Sequence, residues 1–181
     1  QVGVEYLGPD DALADAEIIA CGARVLSALG VLDDCVLHIN SLGDNDSRAA
    51  YRSALIAYLK KFDGQLSDDS KVRLSLNPMR ILDSKDAGDR AILEDAPQLQ
   101  NYLNEVSRTH FSTLTAALDA AGIRWVLDPF LVRGLDYYCH TAFEFVTNAL
   151  GAQGTVLGGG RYDGLSEMLG GPRFSGVGWA A

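Results

Sequence analysis

A chain of 181 residues with 48% hydrophobic content can close a full core, which excludes intrinsic disorder, and it holds no apolar run of the roughly eighteen residues a membrane span needs. Twenty-four Asp and Glu against fifteen Lys and Arg leave a net charge of −9, which excludes a generic electrostatic grip on nucleic acid, DNA included. Three cysteines in unrelated contexts, with no CxxC and no histidine cluster, exclude a zinc site and a disulfide framework and fit a reducing cytosol. No basic-then-apolar leader opens this stretch.

Gln1 to Tyr6 alternates as a half-buried strand, with Val2 and Val4 on one face and Gln1, Gly3 and Glu5 on the other. A glutamine and a carboxylate flanking a glycine form either a seat for a small polar ligand against bare backbone or a solvent-facing edge. After Gly8-Pro9, Asp10 or Asp11 is predicted to cap a helix. Asp15 and Glu17 suit the positive end of its dipole, and Leu13, Ala16, Ala20, Cys21, Val25 and Leu29 mark its packing face up to Gly30. Cys35 to Asn40 predicts a short buried strand; its His38 lacks partners at metal spacing and receives no role.

From Gly43 to Ala121 the period turns helical. Tyr51, Leu55, Tyr58, Leu59 and Phe62 mark one amphipathic face, and Asn77-Pro78 and Ala96-Pro97 mark breaks. Leu99 to Leu118 reads as one longer helix with His110 buried and hydrogen-bonded, and Asp83 to Asp86 as a turn or cap. Between Gly43 and Ala120 stand ten basic and twelve acidic residues, a net of −2, against a net of −7 for the remainder. Either an RNA-facing surface or a mixed, solvated helical one accounts for that share.

Ile123 to Asp128 returns to strand pattern and leads through Pro129 into LVRGLDYYCHTAFE at Leu131 to Glu144. Arg133 offers an anionic group a planar fork of donors, and Tyr137 and Tyr138 point to opposite faces if the backbone there is extended. An ordinary Arg133–Asp136 ion pair capping a strand, with half-buried tyrosines, is the other reading. Thr141 to Val146 continues as a strand, Gly151 to Gly154 turns, and Gln153 to Leu157 forms the next strand, ending in three glycines. Gly158 to Gly160 lets a ligand approach the backbone or bulges at a bend; without a following Gly-Lys-Ser or Gly-Lys-Thr it is not a P-loop. Tyr162, Asp163 and Leu165 start a short helix, Gly170-Gly171-Pro172 breaks it, and Phe174 to Trp179 is the last strand of a sheet predicted to be antiparallel.

RGLDYY followed by GGGRYDGL at Gly158 to Leu165 closely resembles the two histidine-specific signatures of the class II histidyl-tRNA synthetases. QVGVE at Gln1 to Glu5 looks like the strand after motif 2, SLGDNDSRAAYRSAL at Ser41 to Leu55 like the start of the family's inserted region, and GVGWAA at Gly176 to Ala181 like the opening of motif 3. The resemblance implies an α+β fold, a class II synthetase-like antiparallel β-sheet flanked by helices with an inserted helical segment. Residues 1–42 would be the first part of the catalytic core, 43–121 the insert, and 122–181 the second part, carrying both signatures and the start of motif 3.

The same resemblance implies a histidine--tRNA ligase that activates histidine with ATP to histidyl-adenylate and esterifies tRNA(His). ATP would enter with Mg2+ as substrate, with no tightly bound cofactor and no metal site in this stretch. The partners would be histidine, ATP and tRNA(His), with no membrane and no DNA, and the full-length protein a cytoplasmic homodimer. Carried over residue by residue, Arg133 is the catalytic group beside the α-phosphate of ATP and the substrate carboxylate. Tyr138 bonds the imidazole, with Tyr137 and Tyr162 in the same pocket. Gln1 and Glu5 share the amino group and the side chain, in an order left open. Gly159 and Gly160 shape the floor, and Gly176 and Gly178 make room for adenine and ribose. The insert would lie near the acceptor end of the tRNA, in agreement with its basic share.

Motif 1, the motif 2 and motif 3 arginines and the anticodon-reading domain fall outside these 181 residues, so the chain is expected to be a central piece, inactive in adenylation alone. The alternative is a non-catalytic synthetase-like regulatory subunit of the ATP phosphoribosyltransferase of histidine biosynthesis. Intact signatures and the long insert count against it. They also count against a degenerate signalling domain.

Overall fold

The computed structural model describes residues 1–134, 137–150 and 154–181. Strand β1 (Gly3–Gly8) turns at Gly8, whose φ of +111 is open to glycine, into helix α1 (Ala12–Ala28). Asp11 is the cap, accepting from the amides of Leu13 (2.9 Å) and Ala14 (3.2 Å). The buried face of α1 overlaps the predicted stripe only in part: Ala16, Cys21 and Val25 meet the core, but Leu13 and Leu29 are 58% and 69% exposed, and Ile18, Ile19 and Leu26 are buried with Ala12, Gly22 and Ala23. Those small residues let the helix lie close on the sheet. A Cβ at Gly22 would stand 3.1 Å from Leu157. Asp15, expected to serve the helix dipole, is instead fully buried.

Strand β2 (Cys35–Gly43) is followed by α2 (Asn45–Leu59), α3 (Asp68–Leu76), α4 (Ala87–Leu93) and α5 (Glu105–Ala120). The single long helix expected from Leu99 to Leu118 is broken. Leu99–Tyr102 is a 3-10 turn, and Asn104 caps α5 by accepting from the Ser107 amide at 2.9 Å. Strand β3 (Trp125–Leu127), β4 (Cys139–Thr147), β5 (Thr155–Arg161), the short α6 (Leu165–Met168) and β6 (Ser175–Ala180) complete the order. β5 runs through the three glycines rather than stopping before them. The predicted Gly151–Gly154 turn lies outside the described residues except for Gly154.

The six strands form one sheet in the order β1-β6-β5-β4-β2-β3. Neighbours are antiparallel, as expected, except β2 and β3, which are parallel, so the sheet is mixed at that edge. Parallel neighbours need a long crossover, and the helical stretch between β2 and β3 supplies it. α1 and α5 cover one face, burying Ile19, Leu37, Leu114, Phe143, Leu157 and Trp179. The stretch between β2 and α5 has a core of its own around Tyr51, Leu55, Leu59, Ile81, Leu93 and Leu99. The sheet's other face is left to the site.

Candidate functional site

Alternation along a strand sends successive residues to opposite faces. On β5 and β6, Leu157, Val177 and Trp179 enter the core, which puts Gly158, Gly160, Gly176, Gly178 and Ala180 on the open face. Gly3 of β1 joins them opposite Ala180. The result is a floor of nearly bare backbone, and side chains from elsewhere lie across it. A Cβ at Gly178 would fall 1.9 Å from Glu5 Oε2, one at Gly176 2.5 Å from the Tyr162 ring, and one at Gly160 3.0 Å from the Tyr138 ring. One at Gly158 would meet the Arg133 guanidinium at 3.1 Å.

Register orders these side chains along the floor. Gly160 pairs with Gly178, and Glu5 with Gly178, so Glu5 and Tyr138 share the middle row. Tyr162, at the Gly176 end, donates its hydroxyl to Glu5 Oε2. Arg133 sits two residues further along β5, at the Gly158 end, where Gly3 and Ala180 also lie. Gln1 is exposed beside that end, the amide of the next residue, Val2, donating to the Ala181 carbonyl at 3.0 Å. The order along the floor is thus Tyr162, then Glu5 with Tyr138, then Arg133 with the Glu144 carboxylate.

Tyr137 and Tyr138 do not take opposite faces. Tyr137 lies in a turn ahead of β4, and the two rings meet at 4.7 Å between centroids. Each stands 6.3 Å from Tyr162, edge to face. Burial and the neighbouring Glu5 carboxylate push the Tyr162 phenol above its ordinary value, and burial raises that of Tyr138 too. Both therefore remain protonated donors at neutral pH.

Arg133 is bound on the floor. Nε and Nη2 donate to the Gly159 carbonyl at 3.1 and 2.8 Å, Nη2 also to the Phe143 carbonyl, and Nη1 to Glu144 Oε1 at 2.9 Å. The Arg133–Asp136 pair considered from sequence falls on a residue outside the described ones. Gly159, expected in the floor, faces the other way: its Cβ would meet the Phe143 ring at 2.8 Å. Gly158 holds that place instead, and the parity of β5 carried the signal.

Sequence reasoning also passed over Arg161, which alternation sends into the core with Leu157. It is fully buried, and so is its partner Asp15. Arg161 Nε donates to Asp15 Oδ1 at 2.8 Å, and Nη1 to Asp163 Oδ1 and the Pro9 carbonyl at 2.9 and 3.0 Å. Asp15 Oδ2 accepts from His110 at 2.7 Å and from Thr141. Burial alone would raise the Asp15 carboxyl, but His110 and Arg161 together hold it below its usual value. His140 stacks on His110 at 4.5 Å with φ +46, and burial and His110 hold its imidazole down to about 4. Burial and Asp163 push the Cys139 thiol up to about 12, which keeps it an inert thiol. His38, given no role, pairs with Asp128 at 3.1 Å.

Two clefts flank the tyrosines. One of about 280 Å³ is lined by Arg48, Arg52, Met79, Arg133 and Tyr138, and one of about 340 Å³ by Asp44, Arg48, Tyr137, His140, Asp163 and Arg173. Arg48 of α2 stands between them and donates to the Tyr138 carbonyl. The helical region is thereby tied to the tyrosine cluster.

The model of the histidyl-tRNA synthetase family matches residues 1–181. Proteins named Histidine--tRNA ligase from Rhodospirillum rubrum and Gluconacetobacter diazotrophicus are 59% identical over 181 residues and 54% over 180, covering 100% and 99% of this chain. They are matched over 44% and 43% of their own lengths, so the chain spans less than half of these curated relatives. The apo histidyl-tRNA synthetase structure from S. aureus matches at TM-score 0.76 and 39% identity, over 98% of this chain and 43% of that one. A Bacillus halodurans structure described as an ATP phosphoribosyltransferase regulatory subunit/histidyl-tRNA synthetase shares the fold at TM-score 0.57 and 23% identity, over 98% of this chain and 49% of that one. With the family model matched from end to end and the glycine floor carrying both signatures, the chain belongs to the histidyl-tRNA synthetase family.

Proposed function

We propose that the full-length protein is a histidine--tRNA ligase and that this chain supplies its histidine pocket and one arm of its adenylation site. The observation that carries the reading is the order of groups along the glycine floor. Tyr162 stands at one end, Glu5 and Tyr138 in the middle row and Arg133 at the other end. A histidine fits that order with its imidazole among the tyrosines and Glu5 and its carboxylate toward Arg133. A ring with both donor and acceptor nitrogens satisfies Glu5 and a tyrosine hydroxyl together. A side chain of similar size without them would cover Glu5 and the tyrosine hydroxyls without pairing them, which is a strong basis for rejection.

In adenylation the histidine carboxylate attacks the α-phosphate of ATP, so two anions must be held in line. A guanidinium at the Gly158 end is suited to neutralise both, and positioning with charge stabilisation supplies most of such a rate enhancement. Gln1, at the same end, is placed for the α-amino or carboxylate group, and Tyr137 closes the ring cluster. Gly160 gives the amino acid bare backbone. Gly176 and Gly178 admit Tyr162 and Glu5, and we assign them to the pocket walls ahead of any contact with adenine or ribose; Gly159 supplies the carbonyl that holds Arg133. ATP would arrive with Mg2+ as substrate.

The insert, with its own core between Tyr51 and Leu103, is proposed to face the acceptor end of tRNA(His) through basic residues such as Arg52 and Arg80. A cytoplasmic homodimer belongs to the same proposal; among the described residues no helix is long and apolar enough to cross a membrane. Relatives 50–59% identical carry the ligase name, which favours this reading over the regulatory subunit. Histidine-dependent exchange of pyrophosphate into ATP by the full-length protein tests it. Exchange is expected, with a loss of about 100-fold or more in Arg133→Ala. Histidine binding without exchange would leave a sensor built on a synthetase fold.

A further inference from the structure

Arg133 is poorly prepared, as it stands, to chelate an anion. Its Nε, Nη1 and Nη2 all donate within the protein, and Glu144 holds Nη1 as a substrate carboxylate would. Glu144 is itself held: its second oxygen accepts from the Thr155 hydroxyl at 2.8 Å, from the facing strand β5. Gly158 opposite Glu144 makes the arrangement possible, since a Cβ there would stand 3.1 Å from one Arg133 nitrogen and 3.4 Å from Glu144 Cγ. The pair is largely withdrawn from water, with side-chain exposures of 17% for Arg133 and 23% for Glu144, so the attraction is weakly screened.

We propose that Glu144 is a positioning residue that occupies the Arg133 fork in the empty site, and that an anionic substrate group must displace it to engage the arginine. The inference rests on the reading of Arg133 as the anion-binding group. Its physical content is a competition. A carboxylate about 3 Å from the guanidinium offsets the positive charge, so a neutral ligand gains nothing at this end of the floor, whereas a phosphate brings enough charge to replace it. Thr155 gives the displaced carboxylate a place to stay, and the carbonyls of Gly159 and Phe143 keep the guanidinium at the floor throughout. Glu144 thereby makes the anion end selective for anions at the cost of some affinity for them.

Calorimetric titration of the full-length protein with ATP and with histidinol, which has an alcohol in place of the histidine carboxylate, separates the possibilities. In Glu144→Gln the fork is released, and the Kd for ATP is expected to fall about tenfold while that for histidinol is unchanged. Glu144→Asp keeps the charge but withdraws it from Nη1, and is expected to share much of the gain. Unchanged ATP affinity in both variants, with thermal melting like the parent's, would make the pair a structural clamp and overturn the proposal. Tighter ATP binding in Glu144→Gln with parent-like binding in Glu144→Asp would reduce it to plain charge repulsion. A parent that binds neither ligand would overturn the proposed function as well, so the two failures are told apart.

Discussion

A single methyl at Gly178 decides whether Glu5 keeps its place. The carbon would stand 1.9 Å from the Glu5 carboxylate and 2.6 Å from the Val4 carbonyl, and only the first of these can move away cheaply. Gly178→Ala is therefore expected to displace Glu5, break its bond with the Tyr162 hydroxyl and raise the KM for histidine at least about tenfold, with a smaller effect on that for ATP. Steady-state exchange kinetics with each substrate varied in turn would check the split. Period-two parity explains which residues could be read ahead of the structure. Alternation puts Gly3 and Glu5 on one face of β1 and, on β5, Gly158 with Gly160, where the glycine run alone leaves a ligand approach and a bend both open. Gly178, expected to make room for adenine and ribose, lies under Glu5. Arg161 escaped because a charged residue beside three glycines reads as surface. Its burial depends on Asp15, 146 positions away, and pairing at that separation leaves no local trace. The orientation of Tyr137 escaped for a related reason: a turn ahead of β4 replaces the extended backbone on which the opposite-face expectation rested.

Among the elements, the helical region between β2 and α5 holds its short helices together with one carboxylate. Asp89 of α4 is fully buried, and its Oδ2 accepts from the hydroxyls of Ser67, Ser70 and Ser84 at 2.7, 2.6 and 2.6 Å, with the Ser67 amide on Oδ1 at 2.9 Å. These residues link the start of α3 to the turn before α4, beside the apolar core that holds Leu66, Ile81, Leu82 and Leu93. Burial works to raise the carboxyl, but the hydrogen bonds outweigh it and hold it down to about 2. The unfolded chain, with an ordinary aspartate near 3.9, takes up the proton first as pH falls. The contribution is thus complete above about pH 5, worth on the order of 2 to 3 kcal/mol, and is lost progressively between about pH 4 and 2. Asp89→Asn removes this dependence and costs about 2 kcal/mol at neutral pH, because an amide cannot accept from all of the donors. Urea melts should show the gap between parent and variant narrowing by about 1 kcal/mol from pH 6 to pH 3. The capping pattern of such elements was legible at Asp86 and Asp11, since caps act over three residues. The break at Asn104 was not, because an apolar stripe continued across it.

For the whole molecule, the site floor rests on a buried polar network that joins distant parts of the chain. Asp15 on α1 binds Arg161 on β5, His110 on α5 and Thr141 on β4, and Arg161 reaches on to Asp163 in the second signature. Removing two charges from water is costly, so a buried pair of this kind adds little net stability but makes a wrong arrangement of α1, α5 and the sheet expensive. The face of β5 opposite Arg161 carries Gly160 and Tyr162, so the network also sets where the histidine pocket lies over the sheet. Asp15→Asn keeps the shape and removes the charge, leaving Arg161 with the Asp163 carboxylate and the Pro9 and Asp11 carbonyls, and His110 without the Asp15 carboxylate. A loss of about 3 kcal/mol is expected, or a fall of roughly 10 °C in Tm for a chain of this length. The paired apolar replacement Asp15→Leu with Arg161→Met should regain part of that stability, because the buried pair leaves together, while Asp163, His110 and Thr141 each lose one partner. It should nonetheless raise the KM for histidine, since Arg161 no longer ties Asp163, the neighbour of Tyr162, to α1, and the bond from the Tyr162 hydroxyl to Glu5 loses that support. Thermal melting of the parent and both variants, as full-length proteins, beside their exchange kinetics would decide the matter: a double variant with recovered Tm and parent-like KM would show that apolar packing alone positions the pocket.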